Sequence, residues 1–108
     1  MEVKLFEKEG VVVFQVSGEI NISTSPDLKR QFEKKQSKKI VVDLEKVSYI
    51  DSSGLATLVE ILKKTKTQGG NLGLAGLSDK VKSLFEITKL DKLFSIFRTQ
   101  DEAVNRIQ

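Results

Sequence analysis

The stretch Val42-Asp43-Leu44-Glu45-Lys46-Val47-Ser48-Tyr49-Ile50-Asp51-Ser52-Ser53-Gly54-Leu55 decides the fold. It is entered from Lys39-Ile40-Val41, so Lys39 to Leu44 is a short, nearly continuous apolar run. Such a run suits a strand buried on both faces, the setting of a central parallel strand. Val47 to Ile50 extends the apolar approach to the turn at Asp51. Beyond the turn, Leu55, Leu58, Val59 and Leu62 recur at i, i+3, i+4 and i+7. That is the stripe of a helix with one buried side, running to about Thr67. Glu60 and Lys64 predict an i, i+4 ion pair on its outer face. A strand, a turn and a helix in this order predict an α/β domain, with functional groups expected at the strand-to-helix turn.

The flanking segments extend the alternation. Upstream, Val3 to Glu7 alternates, Glu9-Gly10 signals a turn, and Val11 to Ser17 is β-branched and aromatic. Together they predict an antiparallel hairpin, broken by Gly18. Ser23-Thr24-Ser25-Pro26 reads as a capped helix start, because proline's missing N–H is not needed in a first turn. That helix, on Leu28 and Phe32, runs through about Lys35. Downstream, Gln68-Gly69-Gly70-Asn71 ends the central helix. Asn71 to Ala75 is a weak strand whose glycine implies close packing over it. Ser78-Asp79 caps a third helix on Val81, Leu84 and Phe85. Leu93 to Phe97 is a last strand, and Asp101 to Ile107 a closing helix with Ala103, Val104 and Ile107 inward.

The predicted order is β-β-α-β-α-β-α-β-α, with right-handed crossovers. It gives a mixed sheet of four to five strands and about four helices, mostly covering one face. The pattern leaves strand order open. No repeat, linker or low-complexity tract interrupts residues 1–108, so one domain is expected.

Composition removes several function classes. The chain is 39% hydrophobic and 31% charged over 108 residues, which supports one core without covalent staples. It has no cysteine, hence no disulfide and no thiolate metal site, and no histidine. The commonest general base and the commonest neutral metal ligand are therefore missing. No metal site and no cofactor are expected. The N-terminus lacks a continuous apolar stretch, and no run approaches the roughly 20 apolar residues that cross a bilayer. No membrane insertion and a cytoplasmic location are expected. The net charge of +3 is mild. Lysines gather at Lys34, Lys35, Lys38 and Lys39, and again at Lys63, Lys64 and Lys66, with acidic residues in the same segments of the chain, so they read as solvated helix faces rather than a nucleic-acid surface.

At the turn itself two readings stand side by side. Asp and Ser are ordinary helix caps, each worth about 1 kcal/mol of helix stability. Equally, the N–H groups at a helix start carry partial positive charge, and an anion attached or bound at Ser52 would be favoured there.

The whole stretch resembles the signature of bacterial anti-sigma factor antagonists of the STAS type. In these a strand ends in an acidic residue, a short loop follows, and Ile-Asp-Ser-Ser-Gly-Leu opens a helix. Gly18-Glu19-Ile20-Asn21 before a Ser/Thr-rich helix start matches as well. So does the Gly69-Gly70 turn ahead of a strand and a helix with Val81 and Leu84-Phe85. The resemblance covers nearly the whole chain and implies a STAS-like domain acting as a partner switch. The partner it implies is an anti-sigma factor that is also a serine kinase of the GHKL type. Binding in the unphosphorylated state frees a sigma factor, phosphorylation at Ser52 ends binding, and a serine phosphatase resets the switch. The implied partner-binding surface comprises Asp51, Ser52, Ser53, Gly54 and Leu55 with Glu19, Asn21, Ser23 and Thr24, Gly54 letting the partner come close. Family members usually carry aspartate where this chain has Asn21. The change keeps an acceptor and loses a charge, which bears on how readily Ser52 is phosphorylated rather than on the fold.

Other classes fit less well. A serine nucleophile at Ser52 or Ser53 would need a base, and neither histidine nor a Gly-x-Ser-x-Gly elbow is present. No catalytic residues are assigned, and the chain is read as a binding protein rather than an enzyme. A nucleotide pocket would want Gly-x-x-x-x-Gly-Lys-Ser/Thr, which is missing. The alternative within the resemblance is a STAS-type interaction module of another pathway, in a stress-signalling assembly or a lipid-transport complex, with no sigma-factor target.

Overall fold

The computed structural model describes residues 1–107. In chain order its elements are β1 Glu2–Lys8, β2 Val11–Ile20, α1 Ser25–Lys34, β3 Lys39–Ile50, α2 Ser52–Thr67, β4 Asn71–Ala75, α3 Asp79–Ile87, β5 Ser95–Phe97 and α4 Gln100–Arg106. A 3-10 turn at Leu90–Lys92 precedes β5. The five strands form one sheet in the order β1-β2-β3-β4-β5. Only β1 runs antiparallel to its neighbour; β2 through β5 are parallel.

The expected apolar run and its extension are one twelve-residue strand, β3. Its far half exists because β2 does not stop at Gly18. The ladder shifts register between Gln15 and Ser17 and again between Gly18 and Glu19. Gly18 takes a φ of +92°, a conformation that costs glycine little. The expected break is thus a bulge, and β2 continues to Ile20, paired with Ile50. This continuation brings the loop after β2 and the turn after β3 to the same end of the sheet.

Both faces of the central strands are covered. Phe14, Val42 and Leu74 lie under Leu28 and Phe32 of α1, Leu58 and Leu62 of α2, and Phe85 of α3. On the opposite face Val11, Val13, Val41 and Ala75 form a smaller cluster with Ala103, Val104 and Ile107. Three helices therefore share one face and α4 takes the other. The glycine of β4 has the tight packing its sequence implied: a Cβ on Gly73 would stand 2.9 Å from the Phe97 ring.

Two local expectations are corrected. The Glu60–Lys64 pair does not form. Lys29 Nζ reaches Glu60 at 3.1 Å and Lys64 Nζ reaches Glu33 at 3.0 Å. Neighbouring α1 offers each long side chain an opposite charge across the helix interface, and both pairs tie the helices together. At the start of α1, Thr24 stands at the cap position without a side-chain capping bond. The preceding turn is held by Asn21 instead.

Candidate functional site

Asp51 organises the site. It is the N-cap of α2, and its Oδ1 accepts from the Gly54 N–H at 2.9 Å. Its Oδ2 accepts from the Ile22 N–H at 3.1 Å, and its own N–H donates to the Ile20 carbonyl at 3.1 Å. One aspartate thus caps the helix and latches the loop after β2 to the turn after β3. Both carboxylate oxygens are engaged by backbone N–H groups.

Asn21 shapes the other half. Its Oδ1 accepts from the N–H groups of Ser23 and Thr24 at 2.9 and 3.1 Å, and its Nδ2 donates to Glu19 Oε1 at 3.3 Å. The Asn21 N–H donates to Thr24 Oγ1 at 2.8 Å, and that hydroxyl donates to the Glu19 carbonyl at 2.9 Å. An aspartate could accept the two loop N–H groups but could not donate to Glu19. In this chain the amide replaces what would be a carboxylate facing Glu19.

Every site residue named from the sequence lies on these two connected segments. Ser52 is exposed as the first residue of α2, Ser53 is half-buried beside it, and Glu19 and Ser23 are exposed. Asn21 and Thr24 are half-buried. Gly54 and Leu55 are buried, and Gly54 has an internal reason to be glycine. A Cβ there would stand 2.5 Å from the Ile20 carbonyl oxygen and 2.7 Å from Ile50 Cγ2. The surface that Gly54 allows to come close is the chain's own β2 end.

The sequence reading missed two neighbours of the serine. Ile22 is 72% exposed on the latched loop. A groove of about 290 Å³ opens beside Ser52 between the end of β3, the start of α2, and α3. Ile50, Leu55, Val81 and Leu84 line it. The signals were an isolated apolar residue in a polar loop and a third helix that faces the turn; neither has a period to read. Among the described residues no group of acidic side chains is placed to hold a metal, and no helix is long and apolar enough to cross a membrane.

Fold and site together define a one-sheet α/β module that presents a serine at a latched helix start. A family model described as the STAS domain matches residues 2–103, and the chain belongs to that family. The anti-sigma-B factor antagonist of Listeria monocytogenes is 37% identical over 105 residues, covering 94% of this chain and 91% of that protein. The crystal structure of an anti-sigma factor antagonist from Mycobacterium paratuberculosis superposes with a TM-score of 0.88 at 28% identity, over 98% of this chain and 92% of that one. The Bacillus cell fate determinant SpoIIAA in its phosphorylated form shares the fold, with a TM-score of 0.76 at 19% identity over 99% of this chain and all of that one.

Proposed function

We propose that this protein is an anti-sigma factor antagonist. Unphosphorylated, it binds an anti-sigma factor of the GHKL serine-kinase type through turn 51–55 and loop 19–24, and so frees a sigma factor. Phosphorylation of Ser52 by that kinase ends the binding, and a serine phosphatase restores it. The protein itself is a binding switch of the cytoplasm and carries out no catalysis. The name of the Listeria relative supports the role.

The observation that carries the reading is the placement of Ser52. It is exposed, it is the first residue of a sixteen-residue helix, and it borders the loop that Asp51 holds in place. The N–H groups of the first helical positions have no partner within the helix, and the helix dipole favours an anion there. A phosphate adds a charge of about −1.5 to −2, which the fold tolerates at this position. Buried in an interface, the same group meets a desolvation cost and the charge of Asp51. A coupling of about 3 kcal/mol would change affinity more than a hundredfold.

Titration calorimetry of the protein against each purified anti-sigma factor of its own organism tests the proposal. One of them is expected to bind, Ser52→Ala to bind equally and to stay bound with ATP present, and Ser52→Asp to bind at least tenfold more weakly with an unchanged melting curve. A folded Ser52→Asp variant that binds like the wild type, or no binding by any of the anti-sigma factors, overturns it.

A further inference from the structure

Two apolar features adjoin the Asp51–Ser52 turn. One is Ile22, which is 72% exposed, yet its backbone is held rather than loose. Its N–H is bonded to Asp51, and Asn21 accepts from the two N–H groups that follow. The other is the groove of about 290 Å³, with Ser52 on its wall. Single exposed apolar residues are ordinary on protein surfaces. An exposed apolar residue on a held backbone and an apolar cleft, both adjoining the turn that carries one serine, are a different arrangement. The groove is at the small end for a metabolite, since ligand pockets usually run from about 300 to 1,000 Å³, and it is half-open rather than enclosed. It suits a side chain presented by a protein surface.

The charges on the groove narrow the occupant further. Its charged lining residues are Asp51 and Lys80. Both oxygens of Asp51 are engaged by backbone N–H groups. Lys80 stands at the rim with its Nζ 5.9 Å from the ring centroid of Tyr49, itself 45% exposed. An ammonium over a ring face keeps its donors for a further partner. Asp51 keeps its charge but has both oxygens engaged, so the charged group on the groove with hydrogen-bonding capacity left for an incoming partner is the Lys80 ammonium.

We infer that the anti-sigma factor inserts an apolar side chain, carried next to a carboxylate, into this groove and packs over Ile22. The inference rests on the function proposed above and specifies its contact. Ser52 then lies inside an apolar interface core rather than on its polar rim. Rim groups contribute little to affinity, whereas a charge placed in a desolvated core is strongly disruptive. The position explains how one phosphate can end binding without a change of fold.

The test uses the anti-sigma factor that binds the wild-type protein. Ile22→Ala and Leu84→Gln are each expected to weaken binding at least tenfold. Lys80→Glu is expected to weaken it similarly, with association slowed most at low salt. Leu93→Ala removes another exposed apolar side chain, outside the groove, and is expected to bind as wild type. Leu84 is half-buried, so a methyl-labelled wild-type sample supplies a readout that needs no variant: the Ile22, Leu55 and Leu84 methyl signals should move when the partner is added. If Ser52→Asp weakens binding while Ile22→Ala binds normally and the Leu84 methyls stay in place, the groove inference falls and the proposed function stands. Equal losses in Leu93→Ala and Ile22→Ala would also overturn it. If no anti-sigma factor binds the wild type, the underlying function falls first.

Discussion

Asp51 and Gly54 show how much one turn depends on two residues. Removing the Asp51 carboxylate leaves Gly54 and Ile22 each without an acceptor. Asp51→Ala is expected to cost about 1–2 kcal/mol, the usual range for a lost cap with a second bond broken. The Ile22 amide should exchange with solvent faster while amides of the β3 core keep their protection; equal rates at Ile22 in both proteins would refute the latch. Gly54→Ala is a steric matter. Its Cβ would press on the Ile20 carbonyl, a backbone atom that cannot rotate away, so β2 and α2 must part. Overpacking of this kind costs about 1–3 kcal/mol, to be read from urea denaturation. The sequence shows Asp51, Ser52 and Gly54 as a motif, and the cap was legible from residue type alone. That Gly54 faces inward was not, because close approach to the distant Ile20 depends on how β2 and β3 pair.

At the scale of elements, most of the alternation of strands and helices was legible because β3 and α2 have strong and different periods. One boundary and one ion pair were not. Gly18 has the look of a terminator, and only pairing with β3 reveals that its positive φ lets the strand continue. The Glu60–Lys64 spacing satisfies the rule for a pair within one helix, but α1 supplies partners that intrahelical spacing cannot show. The Lys64–Glu33 contact makes a titration prediction. The hydrogen bond from Lys64 and then its positive charge hold the Glu33 carboxyl below the usual glutamate range. A lowered folded-state value means that the contact's stabilisation is present above the ordinary carboxylate range. It is lost as pH falls through the lowered value. The two side chains are 40% and 46% exposed and solvent screens the pair, so the effect on melting should be slight. Carboxyl NMR should place the Glu33 midpoint below that of an unpaired glutamate, and Lys64→Ala should move it back up. An unmoved midpoint would mean the pair does not persist in solution.

Across the whole molecule, the division of labour between the two sheet faces predicts which damage reaches the site. The larger core under α1, α2 and α3 sets the angle at which α2 leaves β3, and hence where Ser52 stands. The smaller cluster under α4 closes the opposite face. There the buried Asp43 accepts from Gln100 Nε2 at 2.8 Å and from the Glu45 N–H at 2.9 Å, which ties the start of α4 to β3. The sequence made both amphipathic stripes visible, but strand order lay outside its reach, since each parallel crossover obeys the same handedness wherever its strand is added. Val104, 5% exposed within the α4 cluster, separates stability from binding. Val104→Asp places an unpaired carboxylate among Val11, Val41 and Ala75. Its cost is expected to be about 3 kcal/mol. For a domain of this size that lowers the melting temperature by roughly 12–24 °C. The surface around Ser52 lies on the other face and shares no side chain with this cluster. Well below the melting transition, the variant should therefore bind the anti-sigma factor with wild-type affinity. Near the transition, the fraction competent to bind should fall in step with the folded fraction. Calorimetry across that range separates the two, because affinity and active fraction enter the curve independently. A weakened affinity in fully folded Val104→Asp would place α4 in the interface and contradict the assignment of the switch to the Ser52 face.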